Sequence, residues 1–215
     1  MKILGLNAIG FNTSASYLNN GKLICSIEEE RLSRIKRTRQ FPVKSIEYIL
    51  NRFNLKFSDF DAVAISWNPL INLEKFDLGQ SENKTYIPNI IHSIPNYILK
   101  LSKENTPDFF KQDINFKKKT VKVFFINHHL SHASSFYFSK FKKAAILTLD
   151  AFGEKQSGGF YLGNNNQIKK INDLEFPHSL GSFYSTFTEI CGFKPQSDEW
   201  KLMGASAYGK QKNIF

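Results

Sequence analysis

The spacing of apolar residues along the chain changes period several times, and each change marks a predicted element. "KILGLNA" (2–8) is an apolar run of strand length. "SASYLNNGKLICSIEEE" (14–30) reads as two strands joined at Asn20-Gly21. The tightest hairpin turn needs positive φ at both central residues, and Asn-Gly adopts that readily. "VKSIEYILNRF" (43–53) shifts to a helical period, with Val43, Ile46, Ile49, Leu50 and Phe53 on one face. "DAVAISW" (61–67) returns to a strand. Residues 68–120 are less regular: "IPNIIHSIPNYILKLS" (87–102) predicts a helix interrupted at Pro95, and the basic segment after it a surface connection. "VKVFFIN" (121–127) is a strand, "HHLSHA" (128–133) opens a helix, and "AAILTLD" (144–150) is a strand again. "SLGSFYSTFTEICGF" (179–193) and "SDEWKLMGASAYGK" (197–210) predict two further helices, the second with Ser197 as its cap.

Two strand-rich passages resemble each other, "ILGLNAIGFNTSASYLNNGKLI" (3–24) and "ILTLDAFGEKQSGGFYLGNNNQIK" (146–169). Each has a strand ending in Asn or Asp, a Gly-containing turn, a strand containing Tyr-Leu, an Asn-rich hairpin and a third strand. Such a repeat implies two copies of one strand–strand–strand–helix unit. That layout belongs to the α/β actin/hexokinase-like (ribonuclease H-like) fold, whose related halves enclose a nucleotide. We expect a first half over 1–140 and the start of a second over 141–215, with the second half unfinished at Phe215.

The composition narrows the function classes. Hydrophobic residues make up 41% of the 215 and charged residues 22%, a globular balance rather than a disordered one. The net charge of +10 admits a polyanionic partner. It is spread between "RLSRIKRTR" (31–39), "FKKKTVK" (116–122) and scattered lysines, without a basic tail or a DNA-reading pattern, which disfavours nucleic acid. Two cysteines, Cys25 and Cys191, in unrelated contexts argue against a disulfide scaffold. No apolar run has the length of a membrane span or a signal peptide, so a cytoplasmic location is expected.

Several residues could carry chemistry. His128 and His132 lie four apart, about one helical turn, a spacing that suits two imidazoles converging on a divalent metal. His129 is rotated roughly 100° from His128 and cannot share that geometry equally. Asp150 ends a strand before a Gly-containing turn, where a carboxylate meets a metal or phosphate in an α/β crevice. Gly153 allows close backbone approach to an anion. Two imidazoles and one carboxylate make a three-ligand set for iron, zinc or manganese. Arg31, Arg34, Lys36, Arg37 and Arg39 follow a predicted strand closely, and could neutralise phosphate oxygens or form a solvated loop.

Taken in order, "ILGLN", "NNGKLICSIEEERLSRIKR…FP", "NHHLSHASSFYFS", "LTLDAFGE" and "SLGSFYSTFTEICGFKPQSDEWKLMGASAYGK" resemble the N-terminal, actin-like domain of NodU/CmcH-type carbamoyltransferases. The domain is also similar to the tRNA threonylcarbamoyl-transferase family, which shares the His-x-x-x-His pair. The resemblance implies ATP-dependent transfer of a carbamoyl group from carbamoyl phosphate, through carbamoyl-adenylate, to a hydroxyl of a sugar or similar metabolite. It implies His128, His132 and Asp150 as ligands of a divalent metal, usually iron. Lys36 and Lys201 would act at the adenylate, with Gly153, Glu154, Asp198 and Glu199 lining its pocket.

The chain departs from the family pattern in three ways. Phe11 and Asn12 stand where the family has His-Asp, which removes its usual general base. Arg37 replaces a histidine in the Arg-x-Lys-His pattern. The rest of the second half and the C-terminal YrdC-like domain are expected to be absent, so a second chain is an expected partner beside nucleotide and acceptor. The other readings are a catalytically silent remnant or binding subunit, and a tRNA-modifying relative. "DEWKLMGASAYG" favours the small-molecule branch over the latter.

Overall fold

The computed structural model describes residues 1–68, 109–116 and 119–210, and among these described residues the chain forms nine strands, five short α-helices and two 3-10 turns. The helix expected over 87–102 lies outside the described residues. The chain divides into two units, Met1–His132 and Ala133–Phe215, where the sequence suggested a boundary near residue 140.

In the first unit, β1 (Lys2–Asn7), β2 (Ser14–Asn19) and β3 (Lys22–Glu28) form an antiparallel meander. The β2–β3 turn has Asn20 at φ 49° and Gly21 at φ 78°, as its Asn-Gly sequence requires. Helices α1 (Glu29–Ser33) and α2 (Val43–Arg52) follow, then β4 (Ala62–Ile65). The strands β5 (Phe109–Phe116) and β6 (Lys119–Ile126) complete a six-stranded sheet in the order β3-β2-β1-β4-β6-β5. Strands β1, β4 and β6 run parallel through its centre. Apart from the added edge strand β5, only β2 is reversed, the mixed arrangement expected of a ribonuclease H-like half.

Residues 109–116 correct the expectation of a surface connection. They pair antiparallel with β6 from Phe109↔Ile126 to Phe116↔Lys119. Phe109, Ile114 and Phe116 stay substantially exposed, and Lys111 and Asp113 sit among them, so this edge strand lacks a clean apolar alternation.

One row of side chains crosses the sheet: Cys25, Tyr17, Leu4, Val63 and Val123 stand at successive register positions. Leu4, Leu6, Ala15, Tyr17, Val63, Val121 and Val123 are buried together with Ile49 of α2 and Phe60. Tyr17 packs its ring against Phe53 and Phe60. The apolar face of α2 is therefore the one its period predicts, except at its first residue: Val43 is 49% exposed.

The N-terminus of α2 is capped from outside the helix. Pro42 occupies the cap position and provides no side-chain bond. Glu29, 3% exposed, instead accepts from the amides of Lys44 (3.2 Å) and Ser45 (2.8 Å) and from the Ser45 hydroxyl (2.7 Å). A buried carboxylate is tolerable here because several donors, at the positive end of a helix, satisfy it.

The second unit repeats the meander with β7 (Lys143–Leu149), β8 (Gln156–Asn164) and β9 (Gln167–Glu175), all antiparallel. Its β8–β9 turn is again two residues long, with Asn165 at φ 51°. Two helices follow here as well, Leu180–Ile190 and Glu199–Ser206. The duplicated unit seen in the sequence is thus a duplicated supersecondary structure.

Ile49 is completely buried at the α2–sheet contact, so Ile49→Ala should cost about 2–5 kcal/mol of unfolding free energy in denaturant titration. Val43→Ala, on the exposed end of the same helix, should change it by less than about 0.5 kcal/mol.

Candidate functional site

Because β1, β4 and β6 are parallel, their carboxyl ends share one edge of the sheet, where α/β folds bind ligands. At the end of β6, Asn127 is 2% exposed, and its Oδ1 accepts from the Leu130 amide at 2.9 Å. This N-cap starts helix α3 (His128–Ala133) one residue after the strand stops. A 3-10 turn over Ser134–Phe138 follows immediately, so α3 has fewer than two turns.

Within α3, the Nε2 atoms of His128 and His132 approach to 3.0 Å, with ring centroids 4.5 Å apart and ring planes nearly perpendicular. His128 is half-buried against Trp67, which follows β4, while His132 is exposed. His129 is fully buried. The structure therefore separates the three histidines by environment, converging His128 and His132 and enclosing His129.

Lys36 lies exposed in the loop after α1. That loop is shaped by two residues in the left-handed region, Arg34 (φ 61°) and Arg37 (φ 55°), and by the Arg37 amide, which donates to Glu30 Oε2 at 2.8 Å. The start of α1 is joined to the β1–β2 turn: the Glu29 amide donates to the Thr13 carbonyl at 2.8 Å.

In the second unit, Asp150 directly follows β7. Its Oδ1 accepts from the Ala151 amide at 2.7 Å, and its own amide donates to the Ser157 carbonyl at 2.9 Å. The Ser179 hydroxyl reaches the carbonyls of Asp150 (3.0 Å) and Ala151 (2.7 Å). Ser179 also caps α4 (Leu180–Ile190), accepting from the Ser182 amide at 3.0 Å. Gly181 makes this approach possible, since a Cβ there would stand 2.5 Å from the Ala151 nitrogen. Gly153 is buried and closes the following turn through its amide to the Gln156 carbonyl, and Glu154 beside it is 6% exposed.

Helix α5 (Glu199–Ser206) begins at Asp198, which corrects the expected Ser197 cap. The acids here fold back onto the preceding loop: Asp198 accepts from the Lys194 amide at 3.2 Å, and Glu199 from the Gln196 amide at 2.5 Å and the Ser185 hydroxyl at 2.6 Å. Lys201 pairs with Asp198 at 3.0 Å. The structure thus pairs Lys201 with Asp198 and turns Glu199 toward Gln196 and Ser185. Sequence reasoning missed Glu29 as the cap of α2, since its acceptor role depends on donors 15 and 16 residues away. Its one signal was an acid run immediately after a strand.

A family model described as "Carbamoyltransferase N-terminus" matches residues 2–215. An uncharacterized protein of Synechocystis sp. is 30% identical over 99% of this chain and 35% of its own length. An uncharacterized protein of Methanocaldococcus jannaschii is 30% identical over 99% of this chain and 34% of its own. Nodulation protein NolNO of Sinorhizobium fredii is 30% identical over 94% of this chain and 28% of its own. The chain spans about a third of the length of these relatives. A solved structure from Pseudomonas aeruginosa, described as an uncharacterized protein with similarity to peptidase YEAZ, aligns over 97% of this chain and 93% of its own. Its TM-score of 0.38 at 12% identity is too loose a likeness to add to the strand order itself.

The Lys201 ammonium, bonded to Asp198, holds that carboxyl below the ordinary carboxylate range, and the Lys194 amide adds to the effect. In Lys201→Ala, carboxyl-carbon NMR titration should show the Asp198 pKa rising toward its ordinary value. Because the folded pKa is depressed, the pair's contribution is present above the ordinary range and lost as pH falls through the folded value.

Proposed function

The chain belongs to the carbamoyltransferase N-terminus family, and on that footing we propose that it forms the N-terminal part of an O-carbamoyltransferase. In this reading a carbamoyl group passes from carbamoyl phosphate, by way of an ATP-derived carbamoyl-adenylate, to a hydroxyl of a sugar or similar metabolite. We assign adenylate formation to a YrdC-like domain outside these 215 residues, on the same or a second chain.

The observation that carries the reading is the His128–His132 pair. Two nitrogens each about 2.1 Å from one ion and at right angles around it are separated by roughly 3.0 Å. The Nε2 atoms stand 3.0 Å apart, a separation that matches two neighbouring ligands and that an imidazole–imidazole hydrogen bond fills when no ion is bound. We assign His128 and His132 as ligands of a divalent metal, iron first, with zinc or manganese as alternatives, and Asp150 as the third. Bound there, such an ion would supply Lewis acidity toward a carbonyl or phosphoryl oxygen.

The chain's own residues supply binding and orientation. Asn127 fixes the start of α3 and hence the direction of both imidazoles. Lys36 and Lys201 provide positive charge for the adenylate, with Gly153, Glu154, Asp198 and Glu199 shaping the pocket around it. Phe11 has no group that can take a proton, so another group must accept it from the acceptor hydroxyl. That same observation supports the second reading, a catalytically silent binding subunit that keeps the metal and nucleotide sites.

The purified chain should bind one equivalent of a divalent transition metal, read by plasma mass spectrometry and by ultrafiltration titration. His132→Ala should weaken binding by more than roughly tenfold, while His129 should keep its structural role. A chain that binds no transition metal, or binds it equally well without the His132 imidazole, rules the site out.

A further inference from the structure

We propose that Arg37 and Arg39, docked on the Phe11 ring, form a recognition site for an oxyanion, phosphate or carboxylate, carried by the acceptor substrate. The guanidinium carbon of Arg37 lies 4.4 Å from the Phe11 ring centroid and that of Arg39 lies 3.7 Å from it. The two carbons are therefore at most about 8 Å apart. Charge-assisted N–H···O bonds place an oxyanion centre roughly 4 Å from a guanidinium carbon, so an anion beside the ring contacts both where their N–H groups face the same side of it.

The arrangement is built into the fold. Asn7, at the end of β1, donates from Nδ2 to the carbonyls of Phe11 (3.3 Å) and Asn12 (3.1 Å), fixing the turn that carries the ring. Thr38, between the two arginines, is buried; its carbonyl accepts from the Thr13 amide at 3.5 Å and its hydroxyl from the Gln40 amide at 3.2 Å. Arg37 itself is held at φ 55°, a conformation that costs energy for a residue with a Cβ. Among the described residues, neither guanidinium has a carboxylate within ion-pair distance. Two like charges on one ring repel each other, and an anion between them relieves that repulsion. Each guanidinium fork also suits bidentate binding of phosphate or carboxylate, and the ring pre-orients both.

The site stands at the carboxyl edge of the first sheet, beside the end of β1. The term "acceptor" rests on the carbamoyl-transfer reading; anion binding does not. The test titrates inorganic phosphate, and separately AMP, at low ionic strength into the full chain, read by ³¹P NMR. Arg39 is exposed and Arg37 half-buried, and far-UV circular dichroism checks that the variants fold. Arg37→Gln/Arg39→Gln should weaken phosphate binding tenfold or more, and AMP should bind the parent at this site no more tightly than inorganic phosphate does. Arg37→Lys/Arg39→Lys, which keeps the charge but loses the fork, should recover only part of the phosphate affinity. Unchanged phosphate affinity in the Gln variant, or no phosphate binding by the parent chain, overturns the site. AMP binding tenfold or more tighter than phosphate in the parent, with that advantage lost in the Gln variant, would assign the anion to the nucleotide and overturn the acceptor role. Failure of the metal reading would instead appear as metal retained in His132→Ala, with these titrations unaffected.

Discussion

Parallel pairing of β1, β4 and β6 is the constraint on which the rest of the first unit depends. Parallel strands cannot be joined by tight turns, so each must leave the sheet at the same edge and return by a longer path. The row Leu4–Val63–Val123 locks their register, because a slip of one residue would turn these side chains to the opposite face. With the register locked, the ends of the three strands are level. Asparagines serve two of these ends: Asn7 binds the turn carbonyls after β1 and Asn127 caps α3 after β6, while Asn68 is fully buried three residues beyond β4. An amide side chain both donates and accepts without carrying charge, which suits strand ends that must bond to backbone in a partly buried place.

A second constraint ties the helical layer to this edge. Glu29 would be costly as a buried carboxylate, yet three donors at the start of α2 satisfy it. The residue also passes its own amide to Thr13 in the β1–β2 turn. One side chain and its backbone thus connect the end of β3, the start of α2 and the turn bearing Phe11. The loop between α1 and α2 hangs from the same frame through Glu30 to Arg37 and through Thr13 to Thr38. Rigid anchors on both sides explain how a loop so rich in positive charge keeps two arginines over one ring.

Much of the fold was legible because it rests on local signals. The Asn20-Gly21 hairpin, the α2 period and the repeated meander each show within 25 residues, and all appear in the structure. The His128–His132 convergence was equally legible, since it needs only helical spacing. What escaped depends on partners distant in sequence. Among the described residues strand β5 pairs with β6 alone, and Phe109 on one face and Ile114 and Phe116 on the other stay exposed, so its residues need not alternate and read as a connection. Ser197 has the chemistry of a cap, yet Asp198 and Glu199 bond back to the loop at Lys194 and Gln196, and this sets the start of α5 one residue later. The contact of Arg37 and Arg39 with Phe11 joins residues 26 and 28 apart, across a turn and a hairpin that no periodicity links.

The three histidines of α3 become intelligible through the same frame. A helix of six residues has too few internal hydrogen bonds to hold its own orientation, so something outside must set its rotation. His129 and Ala133 are four apart and both fully buried, which makes them the inward face of the helix. His128 and His132 are also four apart, one position earlier, and so must turn about 100° away from that face. Burying the middle histidine therefore aims the other two outward and together. Two independent restraints, the Asn127 cap along the axis and His129 around it, hold the two Nε2 atoms 3.0 Å apart.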